Sequence, residues 1–473
     1  MPLRTNSLAS SWRASFAAFG GILYGYDTGI ISGVQAMEDW LRTFGVPVAV
    51  STTNPTGYMI STGQKSLVVS ILSAGTFTGA LIGAPVADIC GRKWGTILAT
   101  LVFSVGVAMQ VAATAWPLFI VGRVIAGLGV GLVSVLIPMY QSECAPKWIR
   151  GAVVSGYQWA IAIDRDADAA AALARLTGTS PDDLSVREDL DDIRANLEEE
   201  RRLSSSSYLD CFRVGEPNKI CFRMVTGMAL QGWQQLTGIN FIFYYGTTFF
   251  QNSGVGNAFL VSVATNVVNV FMTIPGIWGV ERFGRRRLLL VGAIGMCVCE
   301  FIVAIAGVTL PKTNLAGQKV LVAFVCIYIA FFASTWGPIA WVVVGEIYPL
   351  NVRAKGMSFA AASNWLWNFG IGYATPYLVD AGPGNANLQE KVFFIWGTTC
   401  FCCIVFTYFC IPETKGLSLE QIDILYTHST PRTSGKLRAR LLAEDVHAAD
   451  HRAFEKEVGE EIRDDNNSGN EKV

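Results

Sequence analysis

Ten stretches of this 473-residue chain are apolar and long enough to cross the roughly 30 Å hydrocarbon core of a bilayer as helices. They cover residues 14–34, 67–87, 95–115, 117–140, 224–250, 258–280, 288–310, 320–345, 357–379 and 392–411. Their interiors hold only three charges, Asp27, Arg123 and Glu300. In lipid each backbone N–H and C=O must be paired within the protein, so runs of this length fold as helices. The chain is 15% charged, against about a quarter for a soluble domain, and 51% hydrophobic. The fold class that follows is an all-α polytopic membrane protein with the lipid bilayer as its solvent.

Several function classes drop out on composition. A net charge of −1 with no basic block gives no footprint for nucleic acid. The three histidines, His428, His447 and His451, all fall in the C-terminal tail, which excludes a histidine-built metal site in the membrane. Most of the 11 cysteines sit in apolar segments and read as small hydrophobes. No nucleophile–base pair, metal cluster or phosphate loop marks an enzyme or calls for a cofactor. Gly127-x-Gly129-x-Gly131 lies in a membrane segment, where close helix packing explains it. The first apolar run follows Arg4 and Arg13 and reads as a retained signal anchor.

The basic residues orient the chain. With the N-terminus inside, short cytoplasmic segments hold twelve Lys and Arg, among them Arg92, Lys93, Arg150, Arg285, Arg286 and Arg353. The opposite side holds five: Arg42, Lys65, Lys312, Lys319 and Lys391. This is a positive-inside bias that places both termini in the cytoplasm.

Internal repetition says more. Asp88-x-x-Gly91-Arg92-Lys93 follows the second span and Glu281-x-x-Gly284-Arg285-Arg286 the sixth. Glu143-x-x-Pro146-x-x-x-Arg150 follows the fourth, and Glu346-x-x-Pro349-x-x-x-Arg353 the eighth, with the same spacing. Matching punctuation in two halves implies two similar helix bundles around a midplane site. The halves are unequal, however. After its Glu-Pro-Arg motif the second half has 55 residues and two spans, 357–411, whereas the first has only a 12-residue apolar stub, 152–163. Twelve helical residues reach about 18 Å, short of a bilayer core. The first half therefore lacks most of one helix and all of the next. Four regions result: an incomplete N-terminal bundle (1–163), a polar cytoplasmic linker with short amphipathic helices (164–223), a C-terminal bundle (224–416) and a polar cytoplasmic tail (417–473).

The span 224–250 carries four amides, Gln231, Gln234, Gln235 and Asn240, and glycines at 227, 232, 238 and 246. The glutamines are spaced i, i+3, i+4 and share one helix face. Amides in a membrane need hydrogen-bond partners. An uncharged amide face suits an uncharged ligand rich in hydroxyls; the competing reading is glue between helices.

Tyr26-Asp27-x-Gly29, Gly91-Arg92-Lys93, Gly122-Arg123, Pro138-x-Tyr140-x-x-Glu143, Arg150-Gly151, Gln234-Gln235-x-x-Gly238-x-Asn240, Glu281-Arg282-x-Gly284-Arg285-Arg286 and Pro412-Glu413-Thr414-Lys415-Gly416 together resemble the sugar porters of the major facilitator superfamily. The texture is most similar to fungal monosaccharide (hexose) transporters. The likeness runs from about Phe19 to Glu420 and breaks where the family's fifth and sixth helices belong. It implies a major facilitator fold of two pseudo-symmetric bundles, here with about ten full spans plus a stub instead of twelve. It implies transport of a monosaccharide, a hexose, by alternating access at the plasma membrane, with H+ as a candidate second substrate.

By the same resemblance Gln158, Gln234, Gln235, Asn240, Asn269, Trp341, Asn364 and Asn368 line the sugar cavity. Amides match hydroxyls, and an indole offers a flat face to ring C–H groups. Asp27 and Arg123 are implied to be a proton-coupling pair; the alternative is a static ion pair. Arg92, Glu143, Arg150, Arg285, Glu346 and Arg353 are implied to form a cytoplasmic gate whose carboxylate–arginine pairs latch the bundles, against simple positive-inside anchoring. Two rival readings remain at this point, a sugar sensor that does not transport and an inactive truncated product. Sensor relatives carry long signalling tails, and only 57 residues follow Gly416 here.

Overall fold

The computed structural model describes residues 31, 34–35, 37–48, 57–144, 208–214, 219–253, 258–311, 313–349, 352–380, 382–417 and 419–443. Asp27, Arg150, Gln158 and the stub 152–163 lie outside them, as do the side chains of Arg92 and Glu143.

A short helix, α1 (Glu38–Phe44), leads into a two-stranded ribbon in which β1 (Val46–Pro47) pairs antiparallel with β2 (Tyr58–Met59). Ser61 then starts α2 (Thr62–Val111) with a capping box: its hydroxyl accepts from the Gln64 N–H at 3.2 Å, and the Gln64 side chain accepts from the Ser61 N–H at 2.9 Å. α2 is two membrane legs, Thr62–Gly91 and Lys93–Val111, turned at Gly91. α3 (Trp116–Cys144) packs against both legs. Its glycines make that possible. A Cβ on Gly127 or Gly131 would stand 2.2 Å from the Leu72 or Thr76 carbonyl oxygen of the first leg, and one on Gly129 2.6 Å from the Phe103 nitrogen of the second. Close packing thus accounts for the three alternating glycines.

The second half begins with two half-helices, α4 (Ile220–Leu236) and α5 (Ile239–Asn252). It continues with α6 (Ala258–Phe283), α7 (Arg285–Thr309), α8 (Leu315–Ser334), α9 (Trp336–Ile347), α10 (Arg353–Val379) and α11 (Val392–Cys410). A tail helix, α12 (Leu419–His428), lies against α9. Two spans that read as continuous are broken, 224–250 at Thr237–Gly238 and 320–345 at Thr335. Gly238 has φ +86°, open to glycine at little cost, and a Cβ there would stand 2.6 Å from the Trp396 ring.

The repeated motif has a repeated backbone. Gly91 takes φ 71°, ψ 165° between the legs of α2, and Gly284 takes φ 92°, ψ 167° between α6 and α7. Both dihedrals belong to glycine. The same six-residue signature therefore makes the same hairpin corner in each half.

The halves meet chiefly along α2 and α10. Lys65 Nζ lies 3.3 Å from Asp380 Oδ2 at one end, Ser66 donates to the Tyr373 carbonyl at 2.9 Å, and Ser73 donates to Asn368 Oδ1 at 2.7 Å near the middle. Trp365 adds a bond from its indole N–H to Ser134 of α3 at 3.1 Å. The outward sides are apolar. On α6 alone Leu260, Val270, Phe271, Ile274, Ile277 and Trp278 are all more than half exposed, an uncovered apolar face.

Candidate functional site

The amide face predicted on 224–250 is buried, at the break between α4 and α5. Gln231, Gln234, Gln235, Asn240, Asn364 and Asn368 are all at least 94% buried. They form one hydrogen-bonded cluster. Asn364 Nδ2 donates to Gln231 Oε1 at 2.7 Å and to Gln234 Oε1 at 2.8 Å, while Gln235 Nε2 donates to Asn364 Oδ1 at 3.0 Å. Gln235 Oε1 also accepts from Asn368 Nδ2 at 3.2 Å and from Asn240 Nδ2. Asn368 Oδ1 accepts from Tyr244 at 3.1 Å and from Ser73 of the first half. Gln234 Nε2 reaches the Trp336 and Gly337 carbonyls at 2.9 and 3.0 Å, which ties the cluster to the first turn of α9. Gln231 Nε2 is buried without a partner, an open donor at the edge of the cluster.

The break is held from behind. A helix ending in a membrane leaves carbonyls without intrahelical partners. Here the Leu236 carbonyl accepts from Thr399 at 2.6 Å, and that of Thr237 from Tyr328 at 2.8 Å and from the Cys400 thiol at 3.9 Å. The Trp233 carbonyl accepts from the Cys403 thiol at 3.7 Å. Helices α8 and α11 therefore position the amides through the end of α4.

Two predicted site residues stand apart from this cluster. Asn269 is half-buried on α6, where its carbonyl accepts from Thr273 at 2.8 Å, and Trp341 is half-buried one turn beyond Gly337 on α9, packed against the apolar core. Arg123 is 98% buried on α3 and donates to Gln110 Oε1 of the second α2 leg at 3.4 Å.

At the end carrying the repeated motifs, Arg285 Nη2 meets Glu346 Oε1 at 2.7 Å, and Thr414 donates to Glu346 Oε2 at 2.7 Å. Arg353 donates to the Tyr348 carbonyl from Nε at 3.3 Å and from Nη2 at 3.2 Å. Arg285 and Glu346 belong to α7 and α9, so this pair braces the second half internally. The contact expected across the bundles involves Glu143 and Arg150, which the described side chains do not include.

Sequence reasoning gave Pro412-Glu413-Thr414-Lys415-Gly416 no job, and the structure gives it three. Glu413 accepts from the Arg285 and Arg286 backbone N–H groups at 2.9 and 3.2 Å, capping the start of α7. Thr414 holds Glu346, and Lys415 Nζ donates to the Arg282 carbonyl near the end of α6 at 2.9 Å. Sequence reasoning also missed Arg223. Fully buried in the first turn of α4, it pairs with Asp423 of α12 and lies 4.3 Å from the Tyr426 ring centroid. Burial pushes the Tyr426 phenol up, with Arg223 pulling it the other way. Ser73 and Tyr244 likewise join the site without a sequence signal, because only the tertiary fold brings them to Asn368.

A buried polar cluster on broken helices, bonded to a second bundle with a matching corner, fits a membrane carrier of the major facilitator type. The family model "Sugar (and other) transporter" matches residues 14–164 and 159–426, and the chain belongs to that family. It is 44% identical to the major facilitator-type transporter ecdD of Aspergillus rugulosus, over 92% of each chain. It is 42% identical to the probable glucose transporter rco-3 of Neurospora crassa, over 87% of this chain and 78% of that one. It is 38% identical to the high glucose sensor RGT2 of Saccharomyces cerevisiae, over 94% of this chain but only 64% of the sensor. A solved structure of the proton:xylose symporter XylE, bound to 6-bromo-6-deoxy-D-glucose, shares the fold with TM-score 0.71 and 24% identity, over 89% of this chain and all of that one. The ecdD alignment runs over 509 positions, more than the 473 residues of this chain, so that relative holds segments missing here. The two family matches overlap at residues 159–164, where the repeat argument puts the gap.

Proposed function

We propose that this chain carries a monosaccharide, a hexose, across the plasma membrane by alternating access. The observation that carries the reading is the amide cluster: six buried Gln and Asn side chains on α4, α5 and α10, joined to the first half through Ser73. Each amide offers donor and acceptor together, the complement of a sugar hydroxyl. In the closed cluster the amides satisfy one another, and a sugar would replace these bonds with its own. Exchanging one hydrogen bond for another changes the free energy little, so it favours reversible binding. Asn269, Trp341 and Gln158 are proposed to complete the cavity when the bundles separate. Lys65–Asp380 and the α2–α10 contact are the proposed seal on the outer side. Arg92, Glu143, Arg150, Arg285, Glu346 and Arg353 are the proposed cytoplasmic gate, with both termini on that side.

H+ is proposed as the co-substrate. Arg123 is a buried cation in the first third of its span, and Asp27 is the one acid within the first apolar run. An aspartate that pairs with the arginine when ionised and releases it when protonated would link proton binding to opening. A protonophore collapses uptake under this reading; uptake that persists means facilitated diffusion.

The likeness to a glucose sensor supports a second reading, a receptor that binds sugar without moving it. Sugar binding to the purified chain, with no uptake by a surface-expressed chain whose missing segment has been restored, would establish it.

A further inference from the structure

Glu300 is the charged residue that the transport reading leaves without a task. It lies on α7, 99% buried, and among the described residues neither carboxyl oxygen has a hydrogen-bond partner of good geometry. The titratable groups acting on it among the described residues come from three helices: Tyr328 from α8, Cys400 and Cys403 from α11, and Cys297 and Cys299 from α7 itself. Of these, the Tyr328 hydroxyl and the Cys400 thiol stand where they can donate toward its carboxyl. Each has a single hydrogen, and each gives it to the Thr237 carbonyl that ends α4.

We propose that Glu300 is a second proton-binding site, and that its proton decides whether the break in the sugar-site helix is locked. A carboxylic acid can donate its own hydrogen to Tyr328 Oη, leaving Tyr328 and Cys400 to hold Thr237. A carboxylate is an acceptor only and competes for those same two hydrogens. Taking them strips the Thr237 carbonyl of its partners in a region without water. Thr237 separates Gln234 and Gln235 from Asn240, so a change in its bonding moves the two sides of the amide cluster relative to each other. The proton is exchanged with bulk water, and no other reactant is required. This site is distinct from Asp27 and Arg123 and needs no particular sugar.

The test is infrared titration of the purified full chain, with hydrogen exchange at the α4–α5 junction followed over the same pH range. The expected result is a buried protonated-carboxyl band that disappears in Glu300→Gln. As pH rises the parent loses this band, and protection at residues 236–240, measured relative to the intrinsic exchange rate at each pH, falls severalfold. In Glu300→Gln, an uncharged isostere, that protection stays high across the range. Tyr328→Phe keeps the band but uncouples it from the junction, which covers the case of a poorly folded Glu300 variant. A parent with no such band, or a junction that ignores its loss, overturns the proposal. Neither readout involves sugar, so a failure here is separable from a failure of the transport reading.

Discussion

Asn364 is the residue on which the candidate site turns. Its one side chain meets Gln231, Gln234 and Gln235, and replacing it by alanine leaves one polar atom unpaired on each of three buried amides. Leaving a buried polar group without its partner costs about 1–3 kcal/mol, so Asn364→Ala is expected to weaken sugar binding by about 10- to 100-fold. Calorimetry on purified protein checks this, and a loss under threefold would remove Asn364 from the site. Gly284 offers a second test. With φ +92° and a Cβ position 2.5 Å from the Glu413 carboxylate, it has no room for alanine. Gly284→Ala is expected to cost at least the ~1–3 kcal/mol of a strained dihedral, read as a lower melting temperature in detergent.

At the scale of elements, the spans and the amide face were legible in the sequence, while the breaks were not. Hydropathy reports how apolar a run is and does not respond to one residue that turns the backbone, so 224–250 and 320–345 read as single helices. Of the four glycines in the first run only Gly238 takes positive φ, and composition does not single it out. The Gly91 and Gly284 corners were legible because the motif occurs twice. The partners of the Pro412–Gly416 motif were not, since Glu413 and Arg285 meet across more than 120 residues of chain. Two tests belong here. Glu413→Ala removes a helix cap and is expected to cost about 0.5–2 kcal/mol, read as a lower melting temperature in detergent. Asp423→Ala leaves the fully buried Arg223 charge uncompensated, with about 3 kcal/mol as the expected loss, the lower end for a buried pair because Asp423 is a third exposed. Unchanged proteolysis of the tail in that variant would contradict a docked α12.

At the scale of the whole molecule, the two halves share corners, while the sequence repeat gives them different numbers of apolar spans. The first leg of α2, second span of its half, lies along α10, the fifth span of the other. Two-fold pseudo-symmetry then assigns the fifth span of the first half to α6, the second span of the other. Only 17% of the membrane window of α6 is buried by protein, fitting a helix whose partner is missing. Inserting the roughly 55 residues that the second half implies between Ile163 and Asp164 is expected to cover α6 and to raise transport, because each half of such a carrier has six spans. Cysteine pairs placed between the insert and exposed positions of α6, such as Val267 and Phe271, should cross-link.

The most direct test is uptake of labelled glucose by cells that lack their own hexose carriers. The chain as given, its restored form and restored Asn364→Ala are compared at matched surface expression. The account predicts uptake by the restored chain that exceeds that of the shorter one and falls at least tenfold in the Asn364 variant. Equal uptake with and without Asn364, or none from the restored chain with any labelled hexose, would contradict it.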